Sequence, residues 1–434
     1  MMKLEGARVV VVGMARSGIA TVELLRERGA RVQAVDRNPV TIPGLEIMPQ
    51  IETSFRDADL IVLSPGVPAD LDVIETLRRA GVPVIGDLEI ASWFLQGEII
   101  AITGSNGKTT TTALTGHILR ESGVPVQVGG NIGTPPASLV KSSRTGQWNV
   151  LELSSFQLET TDGFRAHIGA ALNVTPDHLD RHYTMDRYAE AKARLFVNQQ
   201  AGDFAVLNAD DPICAGYAKL GAGAAVWFSS TRTVSFGAHL AGGEIVLHGT
   251  ALMEAAEIPL KGLHNLENTM AAAVMANLAG VTHAQIRKAV MTFAGVEHRL
   301  EFVRQRNGVA WYNDSKATNV DATLKAVAAF DGGLWVILGG KDKNSDYAAL
   351  AGPLRARAKG VLLIGAAAEK IESQLRGVAP LISCGTLEGA IAEISARAQP
   401  GDTVLLAPAC ASFDQFENFE HRGREFKRLV SHLS

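Results

Sequence analysis

The stretch Glu98-Ile-Ile-Ala-Ile-Thr-Gly-Ser-Asn-Gly-Lys-Thr-Thr-Thr-Thr112 constrains this chain more than any other. An apolar, largely β-branched run, Ile99 to Ile102, breaks into a glycine-rich turn and then into a segment able to start a helix. Strand, glycine loop, Lys-Thr and helix, in that order, build a phosphate-binding loop. Backbone N–H groups cradle phosphates, a lysine supplies a point charge, and a hydroxyl can hold Mg²⁺. Gly104, Ser105, Asn106, Gly107, Lys108, Thr109 and Thr110 are therefore candidate contacts for ATP. The usual G-x-x-x-x-G-K-[ST] pattern wants glycine at position 102, where this chain has Ile102. The plainer reading is a strand-to-helix turn that happens to carry Gly and Lys. The preceding strand, the threonine run and both glycines favour ATP.

The 434 residues leave room for three domains at a prior of about 150 residues each. A hydrophobic share of 47% with 20% charged residues is ordinary for a soluble globular chain. A net charge of -4 gives no electrostatic reason to expect nucleic acid or an anionic membrane as partner. Cys214, Cys384 and Cys410 lack metal-type spacing and read as small core residues in a reducing compartment. The first residues do not read as a secretory signal, and no apolar stretch approaches the roughly 18 residues a spanning helix needs. The expectation is a cytoplasmic monomer without membrane insertion.

Apolar runs ending in Gly, Asp, Ser or Pro recur at Val9–Val12, Leu60–Leu63, Ile99–Ile102, Val150–Leu151, Ile168–Val174, Leu334–Leu338, Val361–Ile364 and Val404–Ala407. Amphipathic segments such as Ile19–Gly29, Val73–Gly81 and Leu324–Phe330 separate them. The alternation predicts an α/β protein with parallel sheets covered on both faces. Three units follow, without internal repeat or low-complexity linker: a Rossmann-like domain over 1–92, a P-loop domain over 93–296, and a Rossmann-like domain over 297–434. Residues 224–260, rich in Val, Phe, Thr and Gly, predict a small β-rich part built of hairpins. In the first unit Gly13-Met-Ala-Arg-Ser-Gly18 follows a strand and Asp36 ends the next, but the middle glycine of G-x-G-x-x-G is Ala15. The motif indicates a nucleotide-shaped ligand without selecting NAD.

In open parallel sheets ligands gather at the carboxyl ends of strands. Glu152 closes the strand Asn149-Val-Leu-Glu, an arrangement suited to a nucleotide's Mg²⁺. Asp177 and His178 follow Ile168–Val174 at the same edge as Lys108, or else form only a turn with a helix cap. Asn131 lies in a glycine-rich loop that a ligand could approach closely. In Tyr188-Ala-Glu-Ala-Lys-Ala-Arg-Leu-Phe196, helical period puts Tyr188, Lys192 and Leu195 on one face. By itself that pattern makes Lys192 a surface lysine.

These residues, in order, resemble the Mur ligases, the ATP-dependent amide ligases that extend the peptidoglycan stem peptide. The matching segments are Thr-Gly-Ser-Asn-Gly-Lys-Thr-Thr, the Asn131 loop, Leu-Glu152-Leu-Ser-Ser-Phe-Gln157, Asn-Val-Thr-Pro-Asp177-His178 and Tyr-x-x-x-Lys192-x-x-Leu-Phe. Leu207-Asn-Ala-Asp-Asp-Pro212, Gly262-x-His-Asn265-x-x-Asn268, Glu297-His-Arg-Leu-Glu301 and Asn313-Asp-Ser-Lys-Ala-Thr-Asn319 continue the match. Ser64-Pro-Gly66 and Ala407-Pro-Ala-Cys-Ala-Ser-Phe-Asp-Gln-Phe416, running on to Phe419 and Arg422-Gly423, are similar to the D-glutamate-adding branch. The Asp-Asn-Pro-Arg motif of the diamino-acid-adding branch is absent, and Ala407 stands where serine is frequent.

The resemblance implies amide formation through an acyl phosphate, with UDP-MurNAc-L-Ala, D-glutamate and ATP as substrates. It implies two Mg²⁺ ions, placed by Thr109, Glu152, His178 and a CO₂-derived carbamate on Lys192. It makes Lys108, Glu152, His178 and Lys192 catalytic, and adds Asn265, Asn268, Arg299, Asp314 and Lys316 to the ATP contacts. Ala15, Arg16, Ser17, Asp36, Arg37, Ser64, Gly66, Asn131 and His178 would hold the UDP-sugar substrate. Thr318, Lys341, Ser412 and Phe419 would hold D-glutamate, with Thr318 also opening a helix in capping-box spacing with Asp321. A carboxylate attacking a γ-phosphoryl group brings anions together, so cations matter more than a covalent nucleophile. Domain closure is the expected route from ATP to the third domain.

Three other readings remain. A nucleotide-sensing protein would bind ATP without needing a UDP-muramyl compound, and leaves residues 298–434 unexplained. An NAD-dependent oxidoreductase has no use for the phosphate loop. An L-alanine-adding or folylpolyglutamate synthase-like ligase shares the central motifs but not the C-terminal segment.

Overall fold

The computed structural model describes residues 2–433. It divides into two compact units, one of residues up to Glu257 together with Glu267–Thr292, the other of Ile258–Leu266 and the residues from Phe293 onward. The first unit carries two sheets and the second carries one.

The first sheet has the order β3-β2-β1-β4-β5, from β1 (Arg8–Val12), β2 (Arg31–Asp36), β3 (Ile47–Pro49), β4 (Leu60–Leu63) and β5 (Val84–Gly86). All its pairings are parallel. Side chains alternate across a strand, so the Val-Val-Val-Val run feeds two cores: Val9 and Val11 pack on one face, Val10 and Val12 on the other.

The second sheet contains β6 (Glu98–Thr103), β7 (Val126–Gly130), β8 (Trp148–Glu152), β9 (Ile168–Ala171), β10 (Phe204–Asn208) and β11 (Ala224–Ser229). It continues through β12 (Gly237–Ala241), β13 (Glu244–Leu247) and β14 (Thr250–Glu254), in the order β14-β13-β12-β11-β10-β9-β6-β8-β7. The hairpin expectation for 224–260 needs correction. Ala224–Ser229 pairs parallel with β10, and β12 pairs parallel with β11. Only β12, β13 and β14 are antiparallel. The strand expected over Ile168–Val174 ends at Ala171. Beyond it, Asn173 and Thr175 bond to the phosphate loop instead of a neighbouring strand.

The third sheet is β15 (Glu301–Arg306), β16 (Val309–Asn313), β17 (Leu334–Gly339), β18 (Ala358–Ile364), β19 (Leu381–Gly385) and β20 (Thr403–Leu406), ordered β15-β16-β20-β17-β18-β19. Its one antiparallel pair is β15 with β16. Leu334, Val336 and Leu338 face one core, Trp335 and Ile337 the other. Cys214 and Cys410 are core residues as expected, whereas Cys384 is only half-buried. Among the described residues no helix is long and apolar enough to cross a membrane.

Candidate functional site

In the second sheet the phosphate loop leaves β6 and enters the helix Lys108–Glu121. Ile102, where the usual pattern has glycine, is a buried strand residue paired with Glu152 and Ala170. The bend therefore begins only at Gly104. Gly107 has φ +86°, and a Cβ there would lie 2.3 Å from the Asn268 Oδ1, so glycine is required. Asn268 also accepts from the Thr111 hydroxyl at 3.2 Å, which places this predicted ATP contact on the first turns of the loop's helix. The loop is tied down at its other side. Asn106 N–H donates to Asn173 Oδ1 at 2.8 Å, and Ser105 Oγ reaches Thr175 O at 2.8 Å and the Tyr188 hydroxyl at 3.0 Å. Thr109 and Thr110 are both buried in the first turn.

Two lysines converge on one carbonyl. Lys108 Nζ donates to Gly104 O at 2.7 Å and to Ser105 O at 3.0 Å, and Lys192 Nζ donates to Gly104 O at 2.9 Å. Lys192 is 1% exposed, on the inner face of the helix Met185–Val197 with Tyr188 and Leu195. The surface-lysine reading is overturned: the shared face is a buried one. Burial, then the neighbouring Lys108 charge, push the Lys192 pKa far below its ordinary value. Asp177 and Glu152 act on it in the opposite sense.

Glu152 ends β8 almost completely buried, and its Oε1 accepts from Asn131 Nδ2 at 2.9 Å. The Asn131 N–H also donates to Glu152 O at 2.8 Å, so the glycine-rich loop and the strand end form one piece. His178 is partly exposed with φ +53°, its ring edge-on to Phe156 at 4.8 Å. It stands at the N-cap position of the short helix Leu179–His182 without capping it through its side chain. Behind it, His182 bonds Ser155 Oγ at 2.9 Å, and burial holds its pKa down to about 4, so it is neutral at physiological pH.

At the first sheet's edge, Gly13 has φ +92°, and its carbonyl accepts from Ser64 Oγ at 2.7 Å. Asp36 ties the Gly13–Gly18 loop to its own, accepting from Met14 N–H at 2.6 Å and Asn38 N–H at 2.8 Å. A cleft of about 330 Å³ lies beside Asp36 and Arg37, walled by Ile47, Met48 and Pro49. Ala15 is the N-cap of the helix Arg16–Glu27, and Arg16 Nη2 donates to Gly133 O at 2.7 Å, at the end of the Asn131 loop. Ser17 hydrogen-bonds Asp87, a buried carboxyl whose pKa burial raises to about 7. Gly66 lies in the turn after β4.

In the second unit, Lys341 and Ala411 pair through two backbone hydrogen bonds, which sets Ser412 beside Lys341. The Lys316 ammonium lies 5.0 Å over the Phe419 ring. Asp314 is buried, its pKa raised by burial to about 6 against the opposing charge of Arg299. Asn265 Nδ2 donates to Lys261 O at 2.7 Å. The expected capping role of Thr318 is corrected. Asn319 is the N-cap of the helix Val320–Ala328, its side chain accepting from Ala322 N–H at 2.8 Å, so Thr318 lies one residue outside. Asn is as good a cap as Thr and stands in the right register for a three-residue reach.

Sequence reasoning placed Arg422 in a matching segment but gave it no role. Its guanidinium, 1% exposed, donates to Ser315 Oγ and O and to the carbonyls of Cys410 and Ala411. The signal was there: Phe419, Arg422, Gly423, Phe426 and Val430 recur at helical spacing, an arginine within an apolar stripe. Glu297, His298 and Glu301 have metal-like spacing. Lys427 already bridges the two acids at 2.6 and 2.8 Å, and Asn313 donates to His298 at 2.9 Å, so they form an ion-pair network.

Comparison with known proteins decides the lineage. The MurD-like N-terminal domain of Mur ligases matches residues 7–86, the Mur ligase middle domain 102–276, and the glutamate ligase domain of Mur ligases 298–410. This chain belongs to the Mur ligase family. It is 60% identical over 438 residues to a UDP-N-acetylmuramoylalanine--D-glutamate ligase of Solibacter usitatus, covering 100% of this chain and 99% of the relative. An enzyme of the same name from Acidobacterium capsulatum is 50% identical, covering 99% of this chain and 97% of the relative. The fold matches a pseudomurein peptide ligase type C from Methanothermus fervidus, with TM-score 0.63, 18% identity, and 99% and 100% of the two chains covered. It also matches a UDP-N-acetylmuramate-alanine ligase from Thermotoga maritima, with TM-score 0.62, 20% identity, and 98% and 100% covered.

Proposed function

We propose that this Mur ligase joins D-glutamate to UDP-N-acetylmuramoyl-L-alanine with ATP, through an acyl phosphate, in peptidoglycan precursor synthesis. The observation that carries this reading is end-to-end identity of 60% to a relative of that name. The division at 1–92, 93–296 and 297–434 gives each task a sheet: UDP on the first, ATP on the second, the amino acid on the third.

The residues suit the chemistry. An alanyl carboxylate must approach a γ-phosphoryl group, and Lys108 offers the charge that offsets their repulsion. Glu152 and Thr109 are hard oxygen donors of the kind that fit Mg²⁺, with the His178 imidazole as a further contact at the same edge. Mg²⁺ would neutralise phosphate charge and order its oxygens. Lys192 fits a carbamate because its amine is held toward the neutral, nucleophilic form by burial and by Lys108. Conversion to a carbamate would replace a like-charge contact with an attractive one. On the third sheet, Lys341, Ser412, Thr318 and Phe419 would orient D-glutamate so that its amine attacks the acyl phosphate and phosphate leaves. Asn265, Asn268, Arg299, Asp314 and Lys316 would complete the ATP contacts. Ala15, Arg16, Ser17, Asp36, Arg37, Ser64, Gly66 and Asn131 would hold the UDP-sugar.

Phosphate release with ATP, UDP-MurNAc-L-Ala and a panel of amino acids tests the proposal. Release dependent on D-glutamate supports it. Release with L-alanine instead, or none with any amino acid, overturns it.

A further inference from the structure

The first unit joins two sheets, and the proposed reaction needs ligands on both. UDP would lie at the edge of the first and the reacting carboxylate at the edge of the second. The joint between them is chemically unusual. β5 ends at Gly86, whose N–H donates to Thr160 O at 2.8 Å, and a Cβ there would meet the Thr160 hydroxyl at 2.2 Å. Three residues on, Glu89 is 3% exposed. Its Oε2 accepts the N–H groups of Asp162 and Phe164, each at 2.9 Å. Its Oε1 accepts Gly163 N–H at 3.1 Å and Trp93 Nε1 at 3.0 Å. A buried carboxylate thus takes four hydrogen bonds, and among the described residues none comes from a cation.

The far side of the same loop is held by the helix that carries Lys192. Arg194 donates to Thr161 O, and Asn198 Nδ2 donates to Asp162 O at 2.6 Å and Phe164 O at 3.1 Å. Loop 160–164 therefore has the first sheet on one side and the Lys192 helix on the other. Other polar contacts between the two sheets' bodies are less buried: Arg16 to Gly133 O, Tyr183 to Asp70, Arg181 to Val67 O, and the exposed ion pairs of Lys141 with Glu23 and Glu27. Those can open and exchange with water. The Glu89 set cannot open without stranding a buried charge and its donors.

We propose that Glu89 is a positioning residue: it fixes the spacing between the UDP-holding edge of the first sheet and the Lys192 helix of the second. A substrate that spans both edges has its reacting carboxylate placed by that spacing. A ligand that touches one edge does not depend on it. The inference rests on the proposed ligase reading, and it predicts a split between binding and turnover. Misplacement by about 1 Å can cost about 10²-fold in rate while leaving local contacts intact.

The test compares wild type with Glu89→Ala and the near-isosteric Glu89→Gln. Affinities for UDP alone and ADP alone should stay within about two-fold, while kcat with UDP-MurNAc-L-Ala falls about 30- to 100-fold for Ala and about 10-fold for Gln. Turnover within two-fold of wild type in a folded variant overturns the proposal. So does a parallel loss of UDP affinity, ADP affinity and turnover, which marks a merely structural residue. If both variants fail to fold, Glu89 is a fold determinant and the proposal also falls. A second measurement does not require ligation. Spin labels at Arg56→Cys and Lys219→Cys, in a Cys384→Ser background, should give one narrow distance in wild type and a broadened one in Glu89→Ala. An unchanged distribution overturns the clamp whatever the enzyme ligates; a Glu89→Ala distribution that broadens as expected, in a protein whose wild type ligates nothing, overturns only the ligase reading.

Discussion

The carboxyl edges of the second and third sheets both gather cations, and they use them in opposite ways. On the second sheet two lysines share the Gly104 carbonyl, and Lys192 has its pKa lowered by burial and by Lys108. On the third sheet the buried cation, Arg422, gives its hydrogen bonds to backbone carbonyls of the loops around Ser315 and Cys410–Ala411. Lys341 there is exposed. Crowded cations are poised for an incoming anion, because a phosphate or a carbamate relieves their repulsion. A guanidinium bonded to carbonyls shapes a surface and leaves recognition to its neighbours. The second edge is built to react and the third to hold.

That contrast breaks first at Lys108. Lys108→Ala should lower ligation on the order of 10²-fold or more, since a charge-assisted contact to the γ-phosphoryl group is lost in a water-poor site. Phosphate release by a folded variant near the wild-type rate would remove the second edge's claim to chemistry.

Lys192 gives the sharper version. Lys192→Ala should be inactive, and added acetate or formate should restore part of the activity by supplying the missing carboxylate. A variant with full activity, or an inactive one indifferent to both additives, would leave Lys192 as a packing residue.

The third edge should respond in KM. Lys341→Ala and Ser412→Ala should raise the KM for D-glutamate by roughly ten-fold or more, with that for ATP little changed, since they remove contacts to one ligand. Equal increases for both substrates would show that the third edge is part of the reacting centre after all.

How much of this was legible in the sequence follows the same division. Strands buried on both faces, such as Val9–Val12 and Leu334–Leu338, announced themselves as continuous apolar runs, and the phosphate loop by its glycines. The β11 strand did not. Its Ala-Ala-Val-Trp-Phe-Ser run is apolar up to the final serine, which suits a hairpin arm and a parallel strand equally, and only pairing with β10 decides. Lys192 was invisible for a physical reason: period locates a helix face but not which side packs. Thr318 was misread because two adjacent residues can both cap, and Asn319 had the register. Glu89 left little signal, since three of its four partners are backbone N–H groups more than seventy residues away.

The first sheet supplies the smallest test. Its edge contains a buried acid in place of a buried cation: Asp87, bonded to Leu88 N–H and to Ser17, with a pKa raised by burial from 3.8 to about 7. A raised folded pKa means that the native state holds a proton the unfolded chain has already released. The stabilisation from this group is therefore present below about pH 4 and lost as pH rises toward 7. Asp87→Asn keeps an acceptor for Leu88 and a partner for Ser17 without that titration. Denaturant midpoints at pH 4.5, 6 and 7.5 should show the variant gaining on wild type as pH rises, by on the order of 2–4 kcal/mol at the upper end. Parallel curves for the two proteins would mean that Asp87 stays ionised and solvated in the native state, and that the first edge resembles neither of the others.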